Sequence, residues 1–232
     1  QVYLRKNLGV SSSLNYAAKK TKTNYFLHLS PDLKVDYKDI KVFFKHAKKI
    51  NDVFCALGPR FLKTKKKGHI QIDKKLKYGK IDSIHGSYMF INKKRFDEIN
   101  GWDDKIFLYF EETDYAYRGK KLGLNCYQIN SIRTKTIDTT VKINNENEKK
   151  NWLNLLVWHF IWSKFYTSKK KFGFIFSFII FLPIIIRILF RLSLYSIFYD
   201  KKKLSKYKFR LSGLHNSIIG NNSYLRLKDI KN

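Results

Sequence analysis

Cysteine, proline and methionine are scarce in this sequence, which has two, three and one of them in 232 residues. Cys55 and Cys126 stand far apart and neither belongs to a metal-ligand spacing, which excludes a disulfide framework and a zinc-finger module. We therefore expect two buried thiols in a protein of the cytosolic side. Because the chain begins at Gln1 and its single methionine is Met89, we expect a fragment that lacks an N-terminal portion.

Acidic residues are also few. Lysine and arginine number 47 and aspartate and glutamate 18, so the formal net charge is +29. This surplus indicates an anionic partner, which can be nucleic acid, phospholipid headgroups or a phosphate-bearing ligand. Residues 148–232 contain 17 of the basic residues and 3 of the acidic ones. The lysine preference of an AT-rich genome would raise the total charge, but it would not explain this asymmetry.

Apolar periodicity predicts strands that alternate with helices over the first 147 residues, which indicates an α/β domain. Gly58-Pro59 ends the predicted strand 53–57, and residues 60–80 are predicted to form a surface loop. The predicted strands are 25–29, 53–57, 83–91 and 125–132, and the predicted helices are 11–20, 36–50, 93–99 and 111–122.

The character of the sequence changes after residue 147, so we predict two domains, 1–147 and 148–232. Residues 172–186 carry no charge and lie between two lysine triplets. The run is shorter than the roughly 20 residues of a spanning helix. We therefore favour a helix lying in the membrane interface or a re-entrant hairpin bent at Pro183. A single membrane span and a buried core helix are the alternatives.

Five of the 18 acids fall within residues 103–114. In so basic a chain, this cluster can be neutralised by nearby lysines, cap a helix, hold a cation or accept a proton. A purely structural explanation is also open. The helix dipole favours Glu111 and Glu112 at a helix start, and Asp114 can pair with Arg118 four residues later.

Two further features suggest a ligand site. Asp32 directly follows a predicted strand, and ligands of open α/β sheets bind beyond the carboxyl ends of strands. His85-Gly86-Ser87 lies within a strand-like run, where the glycine can let a ligand approach the backbone or can mark a bulge. Each feature alone is also compatible with an ordinary turn or bulge.

These features belong to a larger ordered set of motifs. The set is Lys6-Asn7-Leu8-Gly9, Asn15 with Ala17-Ala18, Leu29-Ser30-Pro31-Asp32, His85-Gly86-Ser87, Gly101-Trp102-Asp103, and the segment 107–114 with Arg118. In order and spacing, these motifs resemble glycosyltransferase family 2, and within it the rhamnosyltransferase-like bacterial branch. The resemblance covers about residues 3–140.

The resemblance implies a GT-A fold, whose Rossmann-like sheet would here lack its N-terminal portion and be followed by a helical membrane-associated region. It implies Glu112 as the general base, with Glu111 and Asp114 orienting it, and Asp32 as the ligand of a divalent Mg²⁺ or Mn²⁺ ion. The residues that would bind donor or acceptor are Asn15, Asp32, His85, Gly86, Ser87, Trp102, Asp103 and Arg118.

The sequence departs from the family pattern at three places. The strand and loops that hold the nucleotide base would precede Gln1, and Glu112 stands where aspartate is usual. The histidine that many relatives carry after the last strand is absent, and Thr136 is the residue expected at its place. The missing histidine leaves the dependence on a metal ion open.

The expected function is an inverting transfer of a sugar, with rhamnose as one candidate, from a nucleotide-diphosphate sugar to a lipid-linked or polysaccharide acceptor. This implies a role in bacterial cell-wall or lipopolysaccharide biosynthesis. The basic, aromatic tail predicts a peripheral or monotopic enzyme on the anionic cytoplasmic face of the inner membrane. The alternatives are a catalytically decayed membrane scaffold and a basic nucleic-acid-binding module. We expect no nucleic-acid partner, because no stacking or zinc-finger signature is present.

Overall fold

The structure is a computed structural model and describes residues 7–62, 71–135 and 143–227. The described chain forms two compact units. The sheet unit comprises residues 7, 11–62, 71–104 and 111–135, and the helical unit comprises 8–10, 105–110 and 143–227. The predicted division at residue 147 stays a prediction.

The fold is mixed α/β with a C-terminal helical region, as the sequence predicted. The nine elements that precede the C-terminal region are α1 (Val10–Lys20), β1 (Tyr25–Leu29), α2 (Tyr37–Lys49), β2 (Ala56–Phe61), β3 (Tyr78–Ile81), β4 (Tyr88–Asn92), α3 (Lys93–Glu98), α4 (Glu111–Lys121) and β5 (Cys126–Thr134). The three helices of the C-terminal region are α5 (Glu146–Phe172), α6 (Phe174–Ile197) and α7 (Lys201–Ile218).

The five strands form one sheet in the order β1-β4-β2-β5-β3. Strands β2 and β5 are parallel, whereas β4 runs antiparallel to β1 and β2, and β3 antiparallel to β5. This arrangement brings the carboxyl ends of β1, β2 and β5 to one edge of the sheet, together with the start of β4. The loops that leave this edge are therefore neighbours in space.

Both faces of the sheet are covered, which explains why β4 reads as a continuous apolar run. Successive strand side chains point to opposite faces. Accordingly, Met89 and Ile91 belong to one core cluster together with Tyr115 of α4. Tyr88 and Phe90 belong to a second cluster, to which α2 contributes Phe43 and Ala47.

The helices of the sheet unit agree with the sequence predictions because their end signals are local. The side chain of Asp36 caps α2 by accepting a hydrogen bond from Lys38 N–H at 2.9 Å. The chain leaves α3 through Asn100 and Gly101, both with positive φ, and it leaves α4 through Gly123 with φ of 76°. Glycine reaches this left-handed region without steric cost.

The predicted strand 53–57 is wrong at both ends, because β2 runs from Ala56 to Phe61 and includes Gly58-Pro59. Proline lacks the N–H that a ladder needs, so strands tolerate it mainly at irregularities. The register of β2 against β5 shifts between Pro59 and Arg60, and the described pairing of β2 with β4 is confined to Leu57 opposite Phe90. The proline therefore lies where the ladder is already interrupted.

Two further strand predictions need correction. The strand predicted to begin at Ser83 begins only at Tyr88, five residues later, because Tyr88 N–H donates to the His85 carbonyl at 3.1 Å and closes a turn before it. The predicted loop 60–80 contains the start of β3, whose residues 78–81 pair with β5. Residues 63–70 of that predicted loop lie outside the described residues.

The helical unit is built on the pairing of α5 with α7. Trp158 Nε1 donates to Ser212 Oγ at 3.2 Å, and Ser217 Oγ donates to the Trp162 carbonyl at 2.9 Å. Helix α6 continues through Pro183 without a break, so the predicted re-entrant hairpin bent at that residue is wrong. Among the described residues, α6 alone is long and apolar enough to cross a membrane, judged by length and composition.

Candidate functional site

The loop that follows β1 is joined to the neighbouring strands at the carboxyl edge of the sheet. Ser30 N–H donates to the Ser87 carbonyl at 2.8 Å, so the residues directly after β1 lie against the residue before β4. Two residues later the loop presents Asp32, which is half-buried. The loop then meets the end of β5, where Thr134 Oγ1 donates to the Lys34 carbonyl at 2.8 Å.

The segment His85-Gly86-Ser87 forms the turn before β4 at the same edge, and not part of a strand as predicted. Ser87 N–H donates to His85 Nδ1 at 3.3 Å, and Ser87 Oγ lies 2.7 Å from the same nitrogen. Because the backbone N–H donates there, Nδ1 is an acceptor and a neutral ring carries its proton on Nε2. The imidazole also packs on Phe61, with ring centroids 4.5 Å apart.

Helix α4 begins at this edge with acidic residues in its first turn. Glu111, Glu112 and Asp114 lie there, where the helix dipole favours negative charge. A Cβ placed on Gly86 would lie 3.5 Å from the carboxyl carbon of Glu112. The glutamate side chain thus lies beside Gly86, and these two predicted site residues are neighbours.

Asp114 and Arg118 have structural partners. Arg118 Nε donates to Asp114 Oδ2 at 2.7 Å, the i,i+4 pair that the sequence allowed. The two terminal nitrogens of the guanidinium donate to the carbonyls of Ile99 and Gly101. The pair therefore fastens the turn between α3 and Trp102 onto α4.

Asn15 holds the same turn from α1. Its side-chain nitrogen donates to the Trp102 carbonyl and to Asp104 Oδ1, both at 2.8 Å. Its side-chain oxygen accepts from Trp102 N–H at 2.8 Å. Trp102 is buried against Tyr115, with ring centroids 4.5 Å apart, and the half-buried Asp103 follows it. The hydrogen bonds of Asn15 thus set the path of the backbone that carries Trp102 and Asp103, which were both predicted to bind donor or acceptor.

Among the described residues, no group of three or more His, Cys, Asp or Glu side chains gathers in a way that could hold a metal ion. Mg²⁺, however, commonly binds through one or two carboxylates and the phosphates of its substrate. Asp32 is compatible with that shared mode of binding. Thr136, the residue expected in place of the family histidine, lies outside the described residues.

Sequence reasoning missed His28, the fourth residue of β1. Its Nδ1 atom is buried and has no hydrogen-bond partner among the described residues, and its ring faces Trp102 at 6.4 Å between centroids. Burial lowers the pKa of His28 to about 4, so the ring is neutral at neutral pH. The alternation of side chains along a strand could have placed it on the face of Phe26.

The backbone just before α4 was also not predicted. Tyr109 and Phe110 both have positive φ, at 69° and 66°, which is a costly conformation for bulky residues. Both rings contact Phe160 of α5, at 5.6 and 5.3 Å between centroids. These contacts within the helical unit offset the strain and fix the turn that leads covalently into Glu111.

No family model matches the chain. The chain is similar to the low-salt glycan biosynthesis hexosyltransferase Agl10 of Haloferax volcanii, with 22% identity over 156 residues that cover 57% of this chain. The matched region spans about half, 49%, of that relative's length. The similarity supports a glycosyltransferase function for this chain.

Proposed function

We propose that this chain is part of an inverting glycosyltransferase with a GT-A fold, in the rhamnosyltransferase-like branch of family 2. It would transfer a hexose, with rhamnose as one candidate, from a nucleotide-diphosphate sugar to a glycan acceptor. The similarity to a hexosyltransferase supports the reaction class. The mixed sheet with helices on both faces is compatible with the Rossmann-like part of this fold.

One observation carries the proposal. Glu112 lies against Gly86, and the adjoining Ser87 is hydrogen-bonded to Ser30, which leads to Asp32. The carboxylate of Glu112 at the start of α4 and that of Asp32 in the loop after β1 thus belong to segments that lie at one edge of the sheet. This arrangement supports a site at the carboxyl ends of the strands, where ligands of open α/β sheets bind.

Glu112 would act as the general base. The acceptor hydroxyl oxygen forms a bond to the anomeric carbon while the bond from that carbon to the diphosphate oxygen breaks. The hydroxyl proton passes to the Glu112 carboxylate, and the nucleoside diphosphate leaves with the bonding electron pair. Attack from the face opposite the diphosphate inverts the anomeric centre. Glu111 would help to orient the base, which acts only within hydrogen-bond reach of the hydroxyl.

Asp32, His85, Ser87 and Asp103 are the proposed polar contacts to donor or acceptor, with Trp102 shaping the pocket. Mg²⁺ or Mn²⁺ remains the proposed cofactor, shared between Asp32 and the diphosphate, where it would neutralise the charge of the leaving group. For Asn15, Arg118 and Asp114 we propose a positioning role, because their hydrogen bonds hold the turn that carries Trp102.

The acceptor is proposed to be lipid-linked, and the enzyme to work at the cytoplasmic face of a bacterial inner membrane. The long apolar helix α6 is the feature of the described chain that favours membrane association. The excess of basic over acidic residues in the tail supports an anionic surface as the partner.

The test is Glu112→Gln in the full-length protein, with Glu148→Gln, an exposed glutamate in the first turn of α5, as the matched control. Cell membranes would supply the acceptor, and a panel of radiolabelled nucleotide-diphosphate hexoses, including the rhamnose donor, would supply the sugar. We expect Glu112→Gln to lower turnover by at least 10²-fold, the usual contribution of a general base, with donor affinity within about threefold of wild type. Glu148→Gln should keep the turnover of the wild type. Unchanged turnover in Glu112→Gln would remove this residue from the mechanism.

A further inference from the structure

Helix α6 exposes a continuous apolar stripe. Its members are spaced four and seven residues apart, which places them within about 60° of one another around the helix. Each is more than half exposed, in a helix whose strongest apolar window is only 17% buried. These residues, which we name the α6 stripe, are Ile175, Ile179, Ile186, Phe190 and Ile197.

The opposite face of α6 is packed within the helical unit. Phe181 meets Phe165 of α5 at 5.0 Å between ring centroids, and Ser177 Oγ lies 2.8 Å from Ser168 Oγ. Tyr195 packs on Tyr207 of α7 at 5.6 Å. The rotation of α6 is therefore fixed, and the α6 stripe faces away from its partner helices.

Charged groups along α6 oppose a transmembrane orientation. The helix has 24 residues, and the exposed Arg187 lies near its middle, about 20 Å from its start. In a spanning helix that guanidinium would lie near the bilayer centre, where insertion of arginine is strongly unfavourable. A spanning α6 would also place Lys164 inside the bilayer, since its ammonium group lies 5.8 Å from the ring of Phe181.

An in-plane orientation satisfies the same charges. Arg187 lies roughly a quarter turn from the centre of the α6 stripe, at the level of the headgroups when the stripe is submerged. Lysine triplets stand at both ends, 169–171 before the helix and 201–203 after it. Basic groups around an apolar stripe are complementary to a surface of anionic phospholipid.

We propose that α6 lies in the plane of an anionic bilayer, with the α6 stripe in the acyl region and Arg187 among the phosphates. The inference rests on the membrane part of the proposed function and specifies how the membrane is bound, but it does not depend on sugar transfer. In this proposal the α6 stripe contacts lipid, and not a second copy of the chain or another protein.

The first test is flotation of the full chain with vesicles of phosphatidylcholine, alone or with 30% phosphatidylglycerol. We expect binding to the anionic vesicles that weakens as salt is raised. The double variant Ile179→Glu/Ile186→Glu should bind at least tenfold more weakly. The matched control is Leu76→Glu/Leu122→Glu, which adds the same charge at exposed leucines of the sheet unit and should bind like wild type. Equal binding by both double variants would overturn the inference.

The second test separates an in-plane helix from a spanning one. Lys171→Cys and Tyr199→Cys place single thiols at the two ends of α6, while the native Cys55 and Cys126 are buried. A membrane-impermeant maleimide added outside the vesicles should label both ends, whereas protection of one end would reject the in-plane orientation. A dimer that forms through the stripe without vesicle binding would also reject the in-plane orientation.

A flotation control separates the membrane inference from the catalytic proposal. Glu112→Gln should bind vesicles like wild type, so that failure of the membrane inference and failure of the catalytic proposal give different results.

Discussion

At the scale of single residues, Asn15 shows how a predicted binding residue can instead organise the backbone. Its amide makes three hydrogen bonds to the Trp102 backbone and to Asp104. A Cβ on Gly101 would come within 2.6 Å of its oxygen, so the turn and the amide fit each other closely. The resemblance to the family could indicate that Asn15 has a role. The hydrogen bond to Trp102 that gives it this role joins residues 87 positions apart, so the sequence alone could not show it.

We predict that Asn15→Leu lowers the free energy of unfolding by about 1–3 kcal/mol, because it leaves the Trp102 N–H and carbonyl without their partner. Chemical denaturation followed by tryptophan fluorescence would measure the change. Ser13→Leu, at an exposed position of the same helix, is the control and should stay within about 0.5 kcal/mol of wild type. Unaltered stability together with weaker donor binding would instead support direct contact between Asn15 and the substrate.

His159 is a fully buried histidine of the helical unit. Its ring nitrogens lie 2.9 Å from Ser223 Oγ and from the Leu225 carbonyl, and its ring stacks on Phe107. Since a carbonyl can only accept, Nε2 donates to Leu225 and Nδ1 accepts from Ser223. Burial is the largest cause that lowers the pKa of His159 to about 4. The ring is therefore neutral in the folded protein at all but acidic pH.

The lowered pKa predicts acid sensitivity of the helical unit. The unfolded chain binds a proton at this histidine below about pH 6.5, whereas the folded chain does so only below about pH 4. Stability is thus fully present above pH 6.5 and falls by about 3 kcal/mol as the pH drops to 4. Urea unfolding at several pH values would measure this slope. His159→Gln should be less stable at pH 7 but lack this part of the slope; an identical slope in the variant would contradict the assignment.

At the scale of elements, the helices and strand β1 were predictable because local chemistry decides their ends, whereas the limits of β2 and β4 were not. Asp36, Gly101 and Gly123 mark helix ends through their own capping and backbone preferences. The limits of β2 and β4 depend on pairing instead. Pro59 is tolerated because of a register shift against β5, and β4 starts late because His85 and Tyr88 close a turn. Neither condition is visible in a single stretch of sequence.

The candidate site divides in the same way. The sequence alone could place Asp32 after a strand and Glu112 at the start of a helix, because both positions follow from the predicted element boundaries. The burial of the His28 ring nitrogen and the hydrogen bonds from Asn15 to Trp102 could not be predicted, since each depends on contacts between distant segments. Helix α6 is an intermediate case. Its apolar run was evident, but its continuity through Pro183 was decided by packing on α5 and α7.

At the scale of the whole molecule, the two units are interleaved along the chain. Composition changes near residue 148, yet segments 8–10 and 105–110 belong to the helical unit. Val10 N–H donates to the Phe107 carbonyl at 2.8 Å, and Ser163 Oγ donates to the Leu108 carbonyl at 2.8 Å. A division of the chain by composition would therefore separate Phe107 and Leu108 from the helix that covers them.

We predict that a chain ending at residue 147 loses solubility and binds a hydrophobic dye such as anilinonaphthalene sulfonate. The cause would be exposure of Phe107, which is 7% exposed in the intact chain, together with Tyr109 and Phe110. Dye fluorescence and light scattering, compared with the intact chain, would measure the effect. Introducing Phe107→Asp into the shortened chain removes the most buried of these rings and should lower dye binding at least twofold. If the shortened chain instead melts cooperatively and binds no dye, the boundary predicted from composition is a true domain boundary, because the segment 105–110 then folds without α5.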